Sequence, residues 1–276
     1  MTVENNPLKQ FFRRPAVYVK LPSGGKYYEP GVVNMPENGE LPVYPMTAID
    51  EITSKTPDAL FNGAAVADIV ASCIPAIKEP WKINSVDLDA ILIGIRIAGG
   101  NGELEIESKC PACEQESTYG IPLASLLPTL QPGNYDEPLQ LSDLKIKFKP
   151  ITYRDMNNAG LGQFEVQKQF VTIQNETDPE IRQEKSKAAL LSITTLTMSI
   201  LAGAIEYVET PTTQVTNKEH ILEYLKSCDN ATFVKIRDHN TALKESSEIK
   251  PLGMKCIACS HEYKQTLSLN LSDFFV

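Results

Sequence analysis

The sequence predicts an α+β fold: an N-terminal extended arm and helices, then two paired β-hairpins separated by a large helical insertion. Three observations carry that prediction. Apolar and polar residues alternate around two short cysteine pairs, at 110–113 and 256–259, which is hairpin patterning. Between the pairs, from about 153 to 246, the apolar spacing is helical instead. The chain has 276 residues, 42% of them hydrophobic and 22% charged, enough for one large core or two modest ones.

Residues 1–45 form the expected arm and loop. In "PAVYVKLPSGGKYYEPG", Val17, Val19 and Leu21 alternate with exposed positions until Pro22 to Gly25 turn the chain, so the segment reads as a strand or an arm. Residues 46–102 are expected to be helical. Thr47 is placed to cap a turn carrying Asp50 and Glu51, and Thr56, Pro57 and Asp58 open a second helix that buries Ala65, Val66, Ile69, Val70 and Cys73. A third runs from Ser85 and stops at Gly99 and Gly100. Residues 103–124 and 250–276 make the β unit, and 125–249 the mainly helical insertion. In the insertion, Leu144, Ile146 and Phe148 mark a strand; Thr152 and Asp155, Asp178, and Asp229 mark helix starts.

The net charge of -9 and a pI near 5.0 argue against a protein whose task is gripping phosphates along a duplex. The N-terminus lacks the basic-then-apolar pattern of a signal peptide, so a reducing cytoplasm is expected, where cysteines serve as ligands and core thiols. Residues 188–205 carry no charge, but five of the eighteen are Ser or Thr and Lys185, Lys187 and Glu206 bracket them. That stretch is read as a buried helix of a soluble domain and not as a membrane span.

The chemistry concentrates in CPAC at Cys110 to Cys113 and CIAC at Cys256 to Cys259. Each pair sits between a short strand ending in lysine, Lys109 or Lys255, and a polar strand leading away. Two such knuckles facing each other offer four thiolates, which suit a tetrahedral Zn²⁺ and leave no coordination position open. The arrangement is zinc-ribbon-like, with the helical insertion between its halves, and insertion at a hairpin loop leaves core pairing intact. The alternative is four reduced thiols without metal; a redox pair lacks the strand-to-helix context it needs. His261 is the one histidine near a knuckle, either as a replacement ligand, as a hydrogen-bond partner of a thiolate, or as an exposed strand residue.

The chain shows no catalytic constellation, and a non-enzyme is expected. His220 and His239 lie far apart on amphipathic helices, and H-E-x-x-H, G-x-S-x-G and the P-loop are all missing. "LPSGGKYY" lacks the phosphate-loop spacing and reads as a turn. Asp50/Glu51 and Asp87/Asp89 read as helix-start charges, and Cys73 and Cys228 as core thiols.

The stretches "MTAIDEITSKTPDALFNGAAVADIVASCI", "DLDAILIGIRIAGGNGELEIESKCPACEQES" and "CIACSHEYKQTLSLNLSDFFV" resemble the baseplate hub and hub assembly proteins of T4-type contractile-tailed bacteriophages. The likeness lies in the order of short motifs over residues 10–123 and 250–276. That family often has Gly after the second cysteine of each pair, at positions favouring positive φ. Here Glu114 and Ser260 stand there, which implies slight strain in the knuckles.

The resemblance implies a structural or assembly protein of the tail baseplate, made in the host cytoplasm and located in the virion. Its implied partners are other tail and baseplate proteins in a symmetric assembly of multiple copies, and neither nucleic acid nor a membrane. An assembly chaperone absent from the mature virion is the alternative within that class. A zinc-ribbon nucleic-acid factor is a different class, opposed by the acidic "GELEIES" and "CEQES"; a zinc hydrolase would need an open ligand position. Contact with neighbours is expected first at "QFFRRPAVYVKLP" and then at Asp273, Phe274, Phe275 and Val276.

Overall fold

The first core is built on one helix that is apolar almost all round. In the computed structural model, which describes residues 6–56, 63–267 and 269, helix Ser85–Ala98 buries ten of its fourteen residues. Such a helix must be covered on every side. Strands β1 (Val17–Lys20) and β2 (Glu40–Val43) pair antiparallel with Val19 opposite Leu41 and lie across it. Helix α1 (Ala48–Ser54) starts at Thr47, whose side chain and Asp50 form the expected reciprocal cap, and α2 (Ala64–Cys73) packs alongside. The Ser85–Ala98 helix is therefore α3. Its Gly94 lets β1 approach: a Cβ there would lie 2.5 Å from Val19 Cγ2. The expected start at Thr56, Pro57 and Asp58 falls on residues 57–62, outside the described residues.

Asp87 stands in the first turn of α3, as expected of a helix-start charge, but does more: it is fully buried, accepting hydrogen bonds from the Ser23 backbone N–H (2.8 Å), the Ser23 hydroxyl and the Tyr28 hydroxyl (2.8 Å). Burial pushes its carboxyl above the usual range while those donors hold the rise back. The "LPSGGKYY" turn is thus fastened to α3 by one carboxylate. Asp50 also does more than cap α1, since Arg13 lies 3.5 Å from it and donates to the carbonyls of Pro45 and Ser72.

Strands β3 (Glu103–Lys109) and β4 (Glu116–Pro122) form the first knuckle hairpin, and two 3₁₀ turns then drop Leu123, Leu126 and Leu130 into the first core. The insertion holds more sheet than its sequence pattern suggested. Strands β5 (Leu139–Leu141), β6 (Leu144–Phe148), β7 (Ile205–Glu209) and β8 (Gln214–Val215) form an antiparallel sheet in that order. Around it lie α4 (Tyr153–Gln174), α5 (Pro179–Ala204), α6 (Lys218–Ser227) and α7 (Asn230–Ser247), capped by Thr152, Asp178, Asn217 and Asp229. A second core joins Ile146, Phe148, Ile205 and Val208 of the sheet to Leu201 of α5, Ile221 and Leu225 of α6, and Ile236 and Leu243 of α7. The Lys218 ammonium donates to the carbonyls of Ala202, Gly203 and Ile205, satisfying the end of α5.

The uncharged run at 188–205 departs from expectation as well. It is not a buried helix: of an apolar 18-residue window of α5, 22% is buried. By length and composition α5 is apolar enough to cross a membrane, yet it continues directly into β7 of the second core. The Ser192 and Thr194 hydroxyls donate to the carbonyls of Ala188 and Leu190 on their own helix. The chain finally returns to the first core through Ile249 and Leu267, which flank strands β9 (Leu252–Lys255) and β10 (Glu262–Gln265).

The two cores meet at a cavity of about 270 Å³ lined by Asp89 of α3, Tyr135, and Lys244 and Glu248 at the end of α7. Burial, then the nearby Glu248 carboxylate, push the Asp89 carboxyl from 3.8 up to about 6. A carboxyl raised in this way favours the fold below pH 3.8 and loses that contribution as the pH rises through 6. Asp89→Asn is therefore expected to be more stable than wild type at pH 7.5, by on the order of 1 kcal/mol, with the gain shrinking toward pH 4. Urea unfolding across that range checks it; a gain independent of pH would contradict the raised carboxyl.

Candidate metal centre

The two knuckle hairpins repeat one another residue for residue. Lys109 pairs with Glu116 across the first and Lys255 with Glu262 across the second. In the first, the Cys110 N–H donates to the Gln115 carbonyl (3.0 Å) and the Glu114 N–H to the Cys110 carbonyl (2.9 Å). In the second, Cys256 donates to His261 and Ser260 to Cys256, both at 2.9 Å. Closing each loop this way requires a left-handed residue after the second cysteine. Glu114 has φ 59° and Ser260 φ 60°, so both non-glycine residues carry the implied strain, at roughly 1 kcal/mol each.

Side chains lock the hairpins together. The Ser108 hydroxyl lies 2.8 Å from the Tyr263 hydroxyl and donates to Gln265 (2.9 Å), while the Tyr119 hydroxyl donates to the Lys255 carbonyl (3.2 Å). The knuckles then face each other crosswise, with Cys110 Sγ 3.7 Å from Cys259 Sγ and Cys113 Sγ 3.6 Å from Cys256 Sγ. All four sulfurs lie within 4.8 Å of one another. A tetrahedron with arms of about 2.3 Å, the zinc–thiolate bond length, has edges of about 3.8 Å, so the donor set fits such an ion in both softness and size. The first cysteine of each pair is buried and the second exposed, which closes one side of the cluster and opens the other to solvent.

The electrostatics set the two cysteines of the second knuckle apart. The backbone N–H groups of Cys259 and Ala258, with the neighbouring thiols of Cys113 and Cys259, hold Cys256 down at about 6 against the opposing effect of burial. Cys259 goes the other way, to about 12: the His261 N–H favours its thiolate, but it shares its proton with Cys113, Cys256 and Cys110, and burial adds to the rise. A cation among the four sulfurs would take the place of that shared proton.

The structure brings together all four cysteines singled out by spacing, although Cys113 and Cys256 are 143 positions apart. His261 is not among them; its exposed ring stacks along Tyr263 at 6.4 Å. His220 is exposed on α6, and His239 packs on Phe148 at 5.2 Å. Cys73 is a core thiol whose burial pushes it up to about 11, and Cys228 lies half-buried at the end of α6. At the N-terminus Arg13 is anchored, whereas Phe11 and Phe12 are 76% and 57% exposed. Residues 273–276 lie outside the described residues. Sequence reasoning missed the Ser108–Tyr263–Gln265 bridge, whose members are ordinary strand residues carrying no spacing signal.

No curated protein and no solved structure matches the chain. A family model does, over residues 16–276, from before β1 to the last residue and through both knuckles. The match takes in the insertion as well as the hairpins, and the chain belongs to the family of T4 bacteriophage base plate proteins.

Proposed function

We propose that this chain is a non-catalytic structural or assembly protein of the hub region of a contractile-tail base plate, with Cys110, Cys113, Cys256 and Cys259 holding a structural zinc ion. The observation that supports the metal is the crossed sulfur spacing of 3.6 and 3.7 Å on two matching knuckles. Four thiolates satisfy zinc and leave no place for substrate or water, which favours a structural over a hydrolytic role. Zinc would tie the two hairpins into one unit. Family membership supports other tail and base plate proteins as partners, and the exposed Phe11 and Phe12 beside the anchored Arg13 offer aromatic contacts to one of them. The acidic strands around the cysteines disfavour nucleic acid.

Cobalt substitution tests the site. The wild-type protein is expected to take up one ion per chain, with a charge-transfer band counting four thiolates, and Cys110→Ser with a band counting three. Cys110→Ser and Cys256→Ser are each expected to lose roughly 2–3 kcal/mol, a fall in Tm of roughly 5–10 °C for a chain of this size. Unchanged stability in either variant, or a water-bearing cobalt spectrum in the wild type, contradicts the closed structural site.

Mass spectrometry of purified particles tests the role. The chain is expected among the proteins of the mature virion. Its absence there, with assembly failing when it is removed, would make it an assembly factor that departs.

A further inference from the structure

Helices α4 and α5 form an antiparallel hairpin whose base is embedded and whose shaft is not. Tyr153 at the base lies in the first core, and Leu201, Ala202 and Ala204 lie in the second. Between residues 157 and 200 the only buried side chains are Val166, Ile173 and Ala189. At Gly162 the helices touch closely, since a Cβ there would sit 2.9 Å from Leu196 Cδ2. Two helices alone bury one seam, and the rest of this hairpin's apolar surface stays in water.

That surface is one-sided. One groove along the seam contains Glu165, Lys168 and Lys185. The opposite groove, about 300 Å³, contains no charged residue: Val166, Ile193, Leu196 and Ile200 floor it, and Gln163 and Gln167 edge it. Helical spacing continues this uncharged face through Val171 on α4 and Leu190 on α5, with Lys168 and Lys187 at its outer edges. Val171 and Leu190 are 55% and 57% exposed.

We infer that the uncharged face docks a second copy of the same hairpin, two copies packing about a two-fold axis as a four-helix bundle. Charge and area both point to a self-contact. A two-fold interface sets a patch against itself, so like charges on it would repel; the groove has none, Lys168 and Lys187 standing at the rim, and its Gln163, Gln167 and Thr197 both donate and accept hydrogen bonds. About twenty residues of shaft at 1.5 Å per residue and two helix diameters of width give roughly 600 Å² per copy. Two copies would bury about 1,200 Å², the lower end of specific interfaces. A lipid surface fits less well, because the same shaft carries Glu165, Lys168 and Lys185 on its other side. The inference stands apart from the base plate role, since the mass of the isolated protein reads it alone.

Sedimentation equilibrium of the full chain from 1 to 100 μM tests it, with Thr197→Lys and Leu190→Lys on the uncharged face and Ser192→Lys on the charged one. The wild type and Ser192→Lys are expected at twice the protomer mass. Thr197→Lys and Leu190→Lys are expected at the protomer mass, with unchanged far-UV circular dichroism; because both positions are exposed, at least one is expected to fold. A wild type that is monomeric at 100 μM, or dimers that survive both lysines, would overturn the inference. So would loss of the dimer in Ser192→Lys alone, or a monomeric wild type that binds phosphatidylcholine vesicles.

Discussion

The arrangement of the chain depends on four sulfurs brought together from its two ends. An unstructured loop joining Cys113 to Cys256, 143 positions apart, would cost on the order of 5 kcal/mol to close. The sulfurs do not close it alone. Leu123, Leu126 and Leu130 enter the first core just after the first hairpin, and Ile249 and Leu267 enter it on either side of the second. The insertion is therefore rooted in hydrophobic packing. What the cysteines and the Ser108–Tyr263–Gln265 bridge add is the register of one hairpin on the other. This narrows the expectation that metal alone holds the second half: removing a thiolate frees the hairpins first.

Beneath the knuckles, α3 sets the geometry. Its Gly94 brings β1 close, and its Asp87 holds the Ser23–Tyr28 turn through a buried carboxyl with three donors. Both hairpins rest their inner residues, Leu104, Ile106, Ile121 and Leu252, against the core that α3 organises. Apolar side chains are left in solvent along the α4–α5 shaft, at Phe11 and Phe12, at Ile49 and Ile52 of α1, and at Ile257 in the second knuckle, as suits a component whose work is contact.

Much of this was legible in the residues. Period-two patterning around two C-x-x-C pairs located both hairpins, and the capping residues Thr47, Thr152, Asp178 and Asp229 located four helix starts. What stayed hidden depends on contacts between distant segments. Asp87 looks like a first-turn acid, and only the position of Ser23 and Tyr28 makes it a buried acceptor. Strand β7 follows α5 directly, with Gly203 still inside the helix, and β8 has two residues, so neither is set off as a strand of its own. The run at 188–205 is apolar enough for a core helix, but exposure is decided by what packs on it, and its hairpin partner covers a single seam.

Hydrogen exchange of the full chain before and after metal chelation tests the central claim most directly. If the four cysteines hold the two hairpins as one unit, chelation accelerates exchange together at the paired amides of β3–β4 and β9–β10, by on the order of a hundredfold for a local loss of about 3 kcal/mol. The amides of α3 lose protection only as far as the global stability falls, and stay slower than those of the hairpins. Unchanged protection in the hairpins, or loss in one hairpin and not the other, would contradict the shared four-sulfur clasp.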